Sequence, residues 1–388
     1  MVRGLPASVL LGLMGCLSSV ARDVLWSAEP PAARACHLVD GREESLRIVR
    51  LESDWTLQGE SPSGKVTRKP SEWFSWGAYR PAMAGHHVLL TDGSQWVGQV
   101  LAVSQSWVVV SSQLWGTLRI PRKYVCAIVV SPPLPWAARD AIWRELLERA
   151  SERDRVLLQD DDAWDGELRL EASLPSRLPL YWPGVSFAID GGQVVQLEAR
   201  RIRAIRFAGP AAGEATGTSG VVAFRDGTRC RVREAELDGS RVRLELASGW
   251  QVSGESERFL PGIAYLRSPP IGWRVLEEER IRDRRHVPML TRKIEPRWGR
   301  SVLGSRLKVA DSEYGWGVGV LGRSRLVVDV PSEARVLAGA AGVDDRALEA
   351  GSVIFRVYVM ERGGEWRLAA ESPRLRGGDE PWRFGVDV

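Results

Sequence analysis

An internal repeat in the middle of the chain constrains its fold more than any other feature. Residues 88–98 align without a gap with residues 156–166, and both runs contain an apolar triplet, an acidic turn, a Trp and then a Gly. Residues 221–232 form a third copy, in which Cys230 takes the place of the Trp and Val232 the place of the Gly. Such a repeat predicts that one small structural unit recurs along the chain.

Each copy has the sequence pattern of a short antiparallel hairpin. In the first and third copies an Asp-Gly pair, at Asp92 and Asp226, stands between apolar runs. This pair favours a tight hairpin turn because Gly and Asp tolerate a positive φ. The runs that follow are rich in β-branched and aromatic residues, which is typical of strands. Four or five short strands in a copy of roughly 45 to 65 residues would close into a small SH3-like or Sm-like barrel.

The repeat and the composition of the segments between its copies set the predicted domain boundaries. Residues 1–21 are predicted to be a signal peptide, and the later segments are a degenerate β unit (38–80), three β-barrel repeats (84–133, 154–208 and 219–268), a basic linker (269–290) and a final domain (291–388).

One helix is predicted between the first two complete repeats, at residues 136–151. Ile142, Trp143 and Leu146 recur at helical spacing and form an apolar stripe, and opposite charges stand four residues apart on the other faces. We interpret this segment as a packing helix that links two barrels. The alternative interpretation is a helix that binds a partner.

The C-terminal residues 314–388 show a different pattern of strands. Short β-like runs alternate with Gly-, Asp- and Pro-containing breaks, at the close spacing expected of an antiparallel sandwich. With the leader 300–307, the order and spacing of these runs resemble the NPCBM family, the novel putative carbohydrate-binding modules that often accompany glycoside hydrolases. Two features depart from the family. Leu321 stands where the family usually has a His, and the family normally continues through further strands beyond the position of Val388, so a truncated sandwich is expected.

The resemblance implies a galactose-binding-like β-sandwich, or jelly roll, in residues 291–388. The preceding part resembles the small β-barrel repeats found beside NPCBM modules in exported bacterial proteins. We therefore expect an all-β protein with tandem small β-barrel repeats, one linking helix and a C-terminal sandwich. The 17 Trp residues of the chain have to be placed in this fold, either in its cores or as exposed platforms on which the C–H face of a pyranose can pack.

Binding candidates come from the aromatic and polar residues near the predicted loops of the sandwich. A sugar site combines one or two stacking rings with hydrogen-bonding groups, since hydroxyls both donate and accept. For each Trp, packing in the core is an equal alternative, and Tyr358, inside an alternating strand, is predicted to be structural. The predicted carbohydrate-binding residues are Trp316, Trp366, Trp382, Arg323, Asp344, Asp345 and Glu371.

The sequence contains no recognisable catalytic or metal-binding motif. The four His residues have no metal-ligand spacing, and there is no nucleophile elbow, P-loop or dinucleotide fingerprint. The acidic run 160–162 stands where the preceding copy has a hairpin turn, so we interpret it as a solvated turn. Asp344 and Asp345 fall in a predicted loop, where a galactose-binding-like sandwich often holds a structural calcium ion, but no further ligands can be named. We predict no enzyme activity and no cofactor, with calcium left open.

The N-terminal residues 1–21 have a basic start, an apolar run and a small-x-small end, which is typical of an export signal. The apolar run is too short for a comfortable membrane span, and Cys16 leaves a lipoprotein as an alternative. The remaining cysteines, Cys36, Cys126 and Cys230, have no metal-ligand spacing and are expected to be buried or free. We expect a secreted, periplasmic or cell-envelope protein.

The net charge of +4 arises in one short segment, since residues 274–300 contain nine Arg or Lys against five Asp or Glu. Phosphate tracking needs a larger basic face, so we predict a solvated linker and no nucleic-acid partner. The preferred hypothesis is a non-catalytic exported protein that binds a glycan or polysaccharide through its C-terminal module. The alternative is a cell-envelope scaffold that binds envelope proteins and whose sugar binding has lapsed. Exposed ring faces at the predicted Trp residues would favour the first hypothesis.

Overall fold

The computed structural model describes residues 32–81, 85–148, 150–189, 192–212, 219–287, 294–360 and 364–388. These residues form 32 strands and only two α-helices, which confirms the predicted all-β class. The predicted export signal at 1–21 lies outside the described residues. No helix among the described residues is both long enough and apolar enough to cross a lipid bilayer.

The first twenty strands fall into four successive runs of five, which we call the first to fourth units. The first unit contains β1 (Arg34–Leu38), β2 (Glu43–Leu51), β3 (Leu57–Ser61), β4 (Gly64–Arg68) and β5 (Trp73–Gly77). The second contains β6 (His86–Leu90), β7 (Gln95–Val103), β8 (Trp107–Ser112), β9 (Gly116–Pro121) and β10 (Val125–Val129). The third contains β11 (Asp154–Leu158), β12 (Ala163–Arg169), β13 (Gly184–Ile189), β14 (Val194–Glu198) and β15 (Ile202–Arg206). The fourth contains β16 (Gly220–Phe224), β17 (Arg229–Asp238), β18 (Arg241–Leu246), β19 (Gln251–Glu255) and β20 (Ile263–Arg267).

All four units share one pairing order. The first four strands of each unit pair in sequence as antiparallel neighbours, and the fifth strand returns to pair with the first. Fifth strands join the second unit to the third, through β10 and β15, and the first unit to the fourth, through β5 and β20. Strand β17 of the fourth unit also pairs with β2 of the first unit and with β7 of the second. The four units therefore form one continuous hydrogen-bonded network of strands. Their division into separate barrel domains stays a prediction.

The repeated acidic turns adopt the geometry that their residues favour. Gly93 and Gly227 have φ values of 81° and 90°, and in each turn the preceding Asp accepts a hydrogen bond from the amide two residues later, at 2.8 Å. The second copy has Asp161 at the Gly position, and this residue adopts a φ of 70°. Asp is among the few residues other than Gly that tolerate this conformation. The acidic run 160–162 is thus part of a hairpin turn.

Helix α1 (Trp136–Leu147) lies between the second and third units, and Pro135 occupies its N-cap position. Trp143 and Leu146 are buried and pack in a small apolar cluster with Leu89, Ala127 and other residues of the flanking strands. The helix therefore covers one face of the second unit. Helix α2 (Phe259–Gly262) is a single turn that precedes β20.

The C-terminal region folds into paired strands. Its strands are β21 (Ile281–His286), β22 (Arg297–Trp298), β23 (Leu307–Val309), β24 (Ser312–Tyr314), β25 (Val318–Gly319), β26 (Ser324–Val328), β27 (Val336–Ala341), β28 (Ser352–Val353), β29 (Arg356–Met360), β30 (Trp366–Glu371), β31 (Leu375–Arg376) and β32 (Trp382–Asp387). The antiparallel pairs are β21 with β26, β22 with β25, β23 with β24, β27 with β32, β28 with β31 and β29 with β30.

A buried ionic cluster fixes the C-terminal region against the units. The Glu313 side chain is only 2% exposed, and its Oε1 accepts hydrogen bonds from Nη1 of Arg229 and Nη1 of Arg306, both at 2.9 Å. The backbone amide of Arg306 also donates to Oδ2 of Asp140 in α1, at 3.2 Å. Since Arg229 begins β17, this cluster joins the C-terminal region to both the fourth unit and the helix.

Candidate functional site

The hairpin of β29 and β30 presents an exposed apolar face. Met360 lies opposite Trp366 in the strand register, and Tyr358 lies opposite Leu368. Directly opposite residues of an antiparallel pair point to the same face. Their exposed fractions are 49% for Tyr358, 48% for Met360, 49% for Trp366 and 45% for Leu368. We call these four residues the hairpin face.

Strand alternation separates this face from the interior. Val357 and Val359 alternate with Tyr358 and Met360 along β29 and are less exposed than they are. Because successive side chains of a strand point to opposite sides, Val357 and Val359 belong to the other side of the hairpin. The sequence of β29 therefore places one aromatic ring and one thioether on the solvent side.

The two aromatic residues of the hairpin face are diagonal neighbours. Tyr358 is two positions from Met360, which is the direct partner of Trp366. Diagonal positions on adjacent strands lie roughly 7 to 8 Å apart, within reach of aromatic side chains. The two rings therefore lie on one side of the strand pair, as a platform for the C–H faces of neighbouring sugar rings requires.

An ion pair borders the hairpin face. Nε of Arg356 donates to Oε2 of Glu371 across the strand pair. This hydrogen bond to Glu371 and the charge of its carboxylate raise the pKa of Arg356 above its ordinary value. The pair places N–H donors and carboxylate acceptors next to the rings, and sugar hydroxyls need both kinds of partner.

Trp316 does not belong to this face. The guanidinium carbon of Arg267 lies 3.6 Å from the centre of the Trp316 ring, and the edge of Trp273 approaches the same ring with centroids 6.0 Å apart. Burial lowers the pKa of Arg267 to about 9. Trp316 is half-buried and packs between the C-terminal region and the last strand of the fourth unit, so one of its ring faces is occupied by Arg267.

Trp382 is also engaged in packing. It lies on β32 opposite Ala341 of β27, and its ring stacks on Phe384 with centroids 5.1 Å apart and an interplanar angle of 28°. The side chain is half-buried. One face of the Trp382 ring therefore already has an aromatic partner.

Asp345 holds a tight turn. Its Oδ1 accepts from the amide of Ala310 at 2.8 Å, its Oδ2 accepts from the amide of Asp311 at 3.0 Å, and Nζ of Lys308 lies 3.4 Å from Oδ2. Ala310 and Asp311 both have positive φ values, which cost energy for residues other than Gly. The Asp345 carboxylate stabilises this turn, and both of its oxygens are occupied.

Asp344 caps the short 3-10 helix Asp345–Ala350. Its Oδ1 accepts from the amide of Arg346 at 3.0 Å. Its other oxygen, Oδ2, is buried without a hydrogen-bond partner among the described residues, and burial raises the pKa of this carboxyl. No group of three or more His, Cys, Asp or Glu side chains in the described part of the chain is arranged to hold a metal ion.

Arg323 is exposed in the turn before β26, where it adopts a φ of 62° and its carbonyl accepts from the amide of Val287. Of the seven residues predicted from sequence, the structure brings Trp366 and Glu371 together on one hairpin. The other five lie elsewhere: Trp316, Trp382, Arg323, Asp344 and Asp345. The role of each of the seven in binding stays a prediction.

Sequence reasoning did not select Tyr358, Met360 and Leu368 for the hairpin face. The sequence predicts a structural role for Tyr358 because this residue lies within an alternating strand. In β29 Tyr358 and Met360 on one side are apolar, as are Val357 and Val359 on the other, so alternation predicts the strand without telling which set faces solvent. Only the pairing with β30 places Tyr358 beside Trp366.

The C-terminal region is thus an antiparallel β module with an exposed aromatic face. Residues 286–388 match the family described as the NPCBM/NEW2 domain. This match confirms the resemblance noted in the sequence. Members of this family are β-sandwich modules, so the match also assigns the C-terminal region to that fold class. The match suggests carbohydrate binding by this module. No curated protein matches the chain, and no solved structure matches it.

Proposed function

We propose that the protein is a non-catalytic, exported carbohydrate-binding protein and that the hairpin face of its NPCBM/NEW2 domain is the surface that contacts glycan. The observation that carries this proposal is the pairing of two half-exposed aromatic residues, Tyr358 and Trp366, on one side of a strand pair. The family match of residues 286–388 supports the ligand class. Export is proposed from the N-terminal sequence pattern alone.

The proposed binding mode follows from the chemistry of the hairpin face. A pyranose presents an apolar face of C–H groups that packs on an aromatic ring, while its hydroxyls at the edge can donate to Glu371 and accept from Arg356. Because the rings lie diagonally on an open strand pair, they would contact successive sugars of an extended chain. We therefore propose an internal stretch of a polysaccharide as the ligand.

The experiment uses the full-length protein. Glycan-array screening identifies a ligand, and dissociation constants are then measured for the wild type, Trp366→Ala and Tyr358→Ala. Each of these substitutions removes a stacking ring worth roughly 1 to 2 kcal/mol of buried apolar surface, so we expect about tenfold weaker binding. Trp107→Ala and Tyr181→Ala remove exposed aromatics from the second and third units and serve as matched controls.

The controls make the test specific to the hairpin face. We expect Trp107→Ala and Tyr181→Ala to bind as the wild type does, because neither residue lies in the C-terminal region. An array without any hit, or equal losses in all four variants, would remove the proposed role of the hairpin face.

A second candidate function, an envelope scaffold whose sugar binding has lapsed, is favoured by one observation. Met360 and Leu368 share the hairpin face with the two aromatics, and aliphatic side chains offer a sugar no stacking surface but suit a protein partner. Co-purification from an envelope fraction distinguishes the two functions. A scaffold recovers the same proteins when a mixture of the arrayed glycans is added in excess, whereas a glycan-dependent assembly is released.

A further inference from the structure

The ladder of β21 and β26 concentrates arginine on one side. Arg285 of β21 lies directly opposite Arg325 of β26, and both residues are exposed. Directly opposite residues share a face of the ladder, where two like charges destabilise the pair. Arg323 lies at the turn that leads into β26 and is also exposed. We call Arg285, Arg323 and Arg325 the arginine ladder.

The arginine ladder is short of counter-ions. Nη2 of Arg325 lies 2.8 Å from Oδ2 of Asp283, and Asp283 stands two residues before Arg285 on the same face. Among the described residues no carboxylate forms an ion pair with Arg285 or Arg323. Arg285 and Arg325 thus share a single described carboxylate on this face, and Arg323 adds a further exposed positive charge at the end of the ladder.

The opposite face of the same strand shows the contrast. Arg284 alternates with Asp283 and Arg285 along β21 and so lies on the opposite face. Its Nη2 lies 2.9 Å from Oε1 of Glu278, so this arginine has its own carboxylate. Arg282 lies in the register shift between Ile281 and Asp283, and it too is paired, since its Nη1 lies 3.8 Å from Oδ1 of Asp329. The charge excess therefore belongs to the face of the arginine ladder.

We propose that the arginine ladder binds the anionic groups of an acidic polysaccharide. A guanidinium group donates two parallel hydrogen bonds to a sulfate, phosphate or carboxylate group, and an anion between Arg285 and Arg325 would relieve their mutual repulsion. The three groups lie along an open ladder, which suits a polymer with repeated charges. The choice of a polysaccharide rests on the proposed function; the charge excess does not depend on it.

Nucleic acid is disfavoured as the polyanion. Phosphate tracking uses a basic surface larger than three side chains, and single-stranded nucleic acids are held by stacking aromatic residues. Neither β21 nor β26 contains Phe, Tyr or Trp. Binding of nucleic acid is accordingly an outcome that would contradict the proposal.

The test compares charged and neutral forms of one polymer on the full-length protein. Retention by dextran sulfate and by dextran is measured by affinity electrophoresis, with polygalacturonate as a carboxylate polymer and duplex DNA as a further polyanion. The variants are Arg285→Ala/Arg323→Ala, which acts on the arginine ladder, and Arg284→Ala, which acts on the paired face of the same strand. All three positions are exposed, so we expect the variants to fold.

We expect the wild type to be retained more strongly by dextran sulfate and polygalacturonate than by dextran, with a difference that weakens as salt is added. The double variant should bind dextran sulfate at least fivefold more weakly, and Arg284→Ala should remain within twofold of the wild type. Equal losses in both variants, retention by dextran as strong as that by dextran sulfate, or tighter binding to DNA than to dextran sulfate would overturn the proposal. The difference between dextran sulfate and dextran measures only the charge-dependent part of retention, which separates this result from the proposed stacking site.

Discussion

At the scale of single residues, Glu313 is a buried charged group that needs its ion-pair partners. Its carboxylate is enclosed and bonded to two guanidinium groups, from Arg229 and Arg306. Burial alone raises the pKa of a carboxyl, but the charges of Arg306 and Arg229 and their hydrogen bonds outweigh it and lower the pKa of Glu313 below its ordinary value. Glu313 is therefore ionised in the folded protein, and its two partners depend on that charge.

Glu313→Gln should destabilise the protein strongly. The substitution keeps the size of the side chain but leaves Arg229 without a carboxylate and Arg306 with Asp140 alone, and breaking a buried ion pair in this way costs about 3 to 5 kcal/mol. Urea unfolding at neutral pH measures the change. Glu371→Gln, which breaks an exposed cross-strand pair, is the control and should leave the unfolding midpoint nearly unchanged. Similar midpoints for both variants would contradict the importance of the buried cluster.

The buried side chain of His87 makes the free energy of unfolding depend on pH. The residue is fully buried against Trp143, and both ring nitrogens have no hydrogen-bond partner among the described residues. Burial, with the positive charge of Arg139, lowers the pKa of His87 to about 3. The unfolded chain therefore binds a proton at this position at a higher pH than the folded chain does. Its contribution to stability is complete above pH 6.5 and is lost as the pH falls towards 3.

We expect the free energy of unfolding to fall as the pH is lowered from about 6.5 to 4, and to fall less steeply in His87→Phe. Phe retains the aromatic contact with Trp143 without a group that titrates. Urea titrations at several pH values give both slopes. His286→Phe, at a half-buried position in β21, is the control and should keep the wild-type slope; a wild-type slope in His87→Phe would show that His87 is not buried in a neutral form.

At the scale of elements, turns and strand ends decide how the C-terminal region meets the first unit. The turn between β1 and β2 contains Gly41, with a φ of 85°, and it packs directly on Gly385 of β32. A Cβ atom built on Gly385 would lie 2.8 Å from Cα of Gly41, which is closer than two carbon atoms can approach. The absence of side chains on both residues permits this contact.

Gly385→Ala should therefore weaken the contact between β32 and the first unit. The added methyl group meets backbone atoms that cannot rotate away, and overpacking of this kind costs roughly 1 to 3 kcal/mol. Thermal unfolding measures the loss. Gly322→Ala is the matched control, because its Cβ would meet no atom within 4 Å and its φ is not positive. A change no larger than that of the control would mean that β32 does not rest on this turn.

Elements also show how far the sequence predicts the structure. The acidic turns followed from Asp-Gly chemistry, and helix α1 followed from its apolar stripe, because both depend on residues a few positions apart. The surroundings of Trp316 could not be predicted in this way, because the guanidinium group that covers its ring belongs to Arg267, which is distant in the sequence. Likewise, the loop pattern predicts that Asp344 and Asp345 bind sugar or calcium. In the structure the Asp345 carboxylate instead accepts a hydrogen bond from the amide of Ala310.

At the scale of the whole molecule, the fold class and the identity of the C-terminal module were predictable, and the exposed face was not. Twenty strands form one network, and the module rests on it through Glu313, Trp316 and Gly385. These contacts do not involve the hairpin of β29 and β30, whose aromatic residues stay half-exposed. Which residues stay exposed depends on contacts between distant segments, and sequence spacing does not contain that information.

The central claim is that glycan contacts the hairpin face, and hydroxyl-radical footprinting of the full-length protein tests it most directly. Oxidation of aromatic residues is mapped by mass spectrometry with and without a saturating glycan identified on the array. The account predicts protection of Tyr358 and Trp366 on binding, while Trp107 and Tyr181 remain oxidised as before. Protection confined to other residues, with Tyr358 and Trp366 unchanged at saturation, would contradict it.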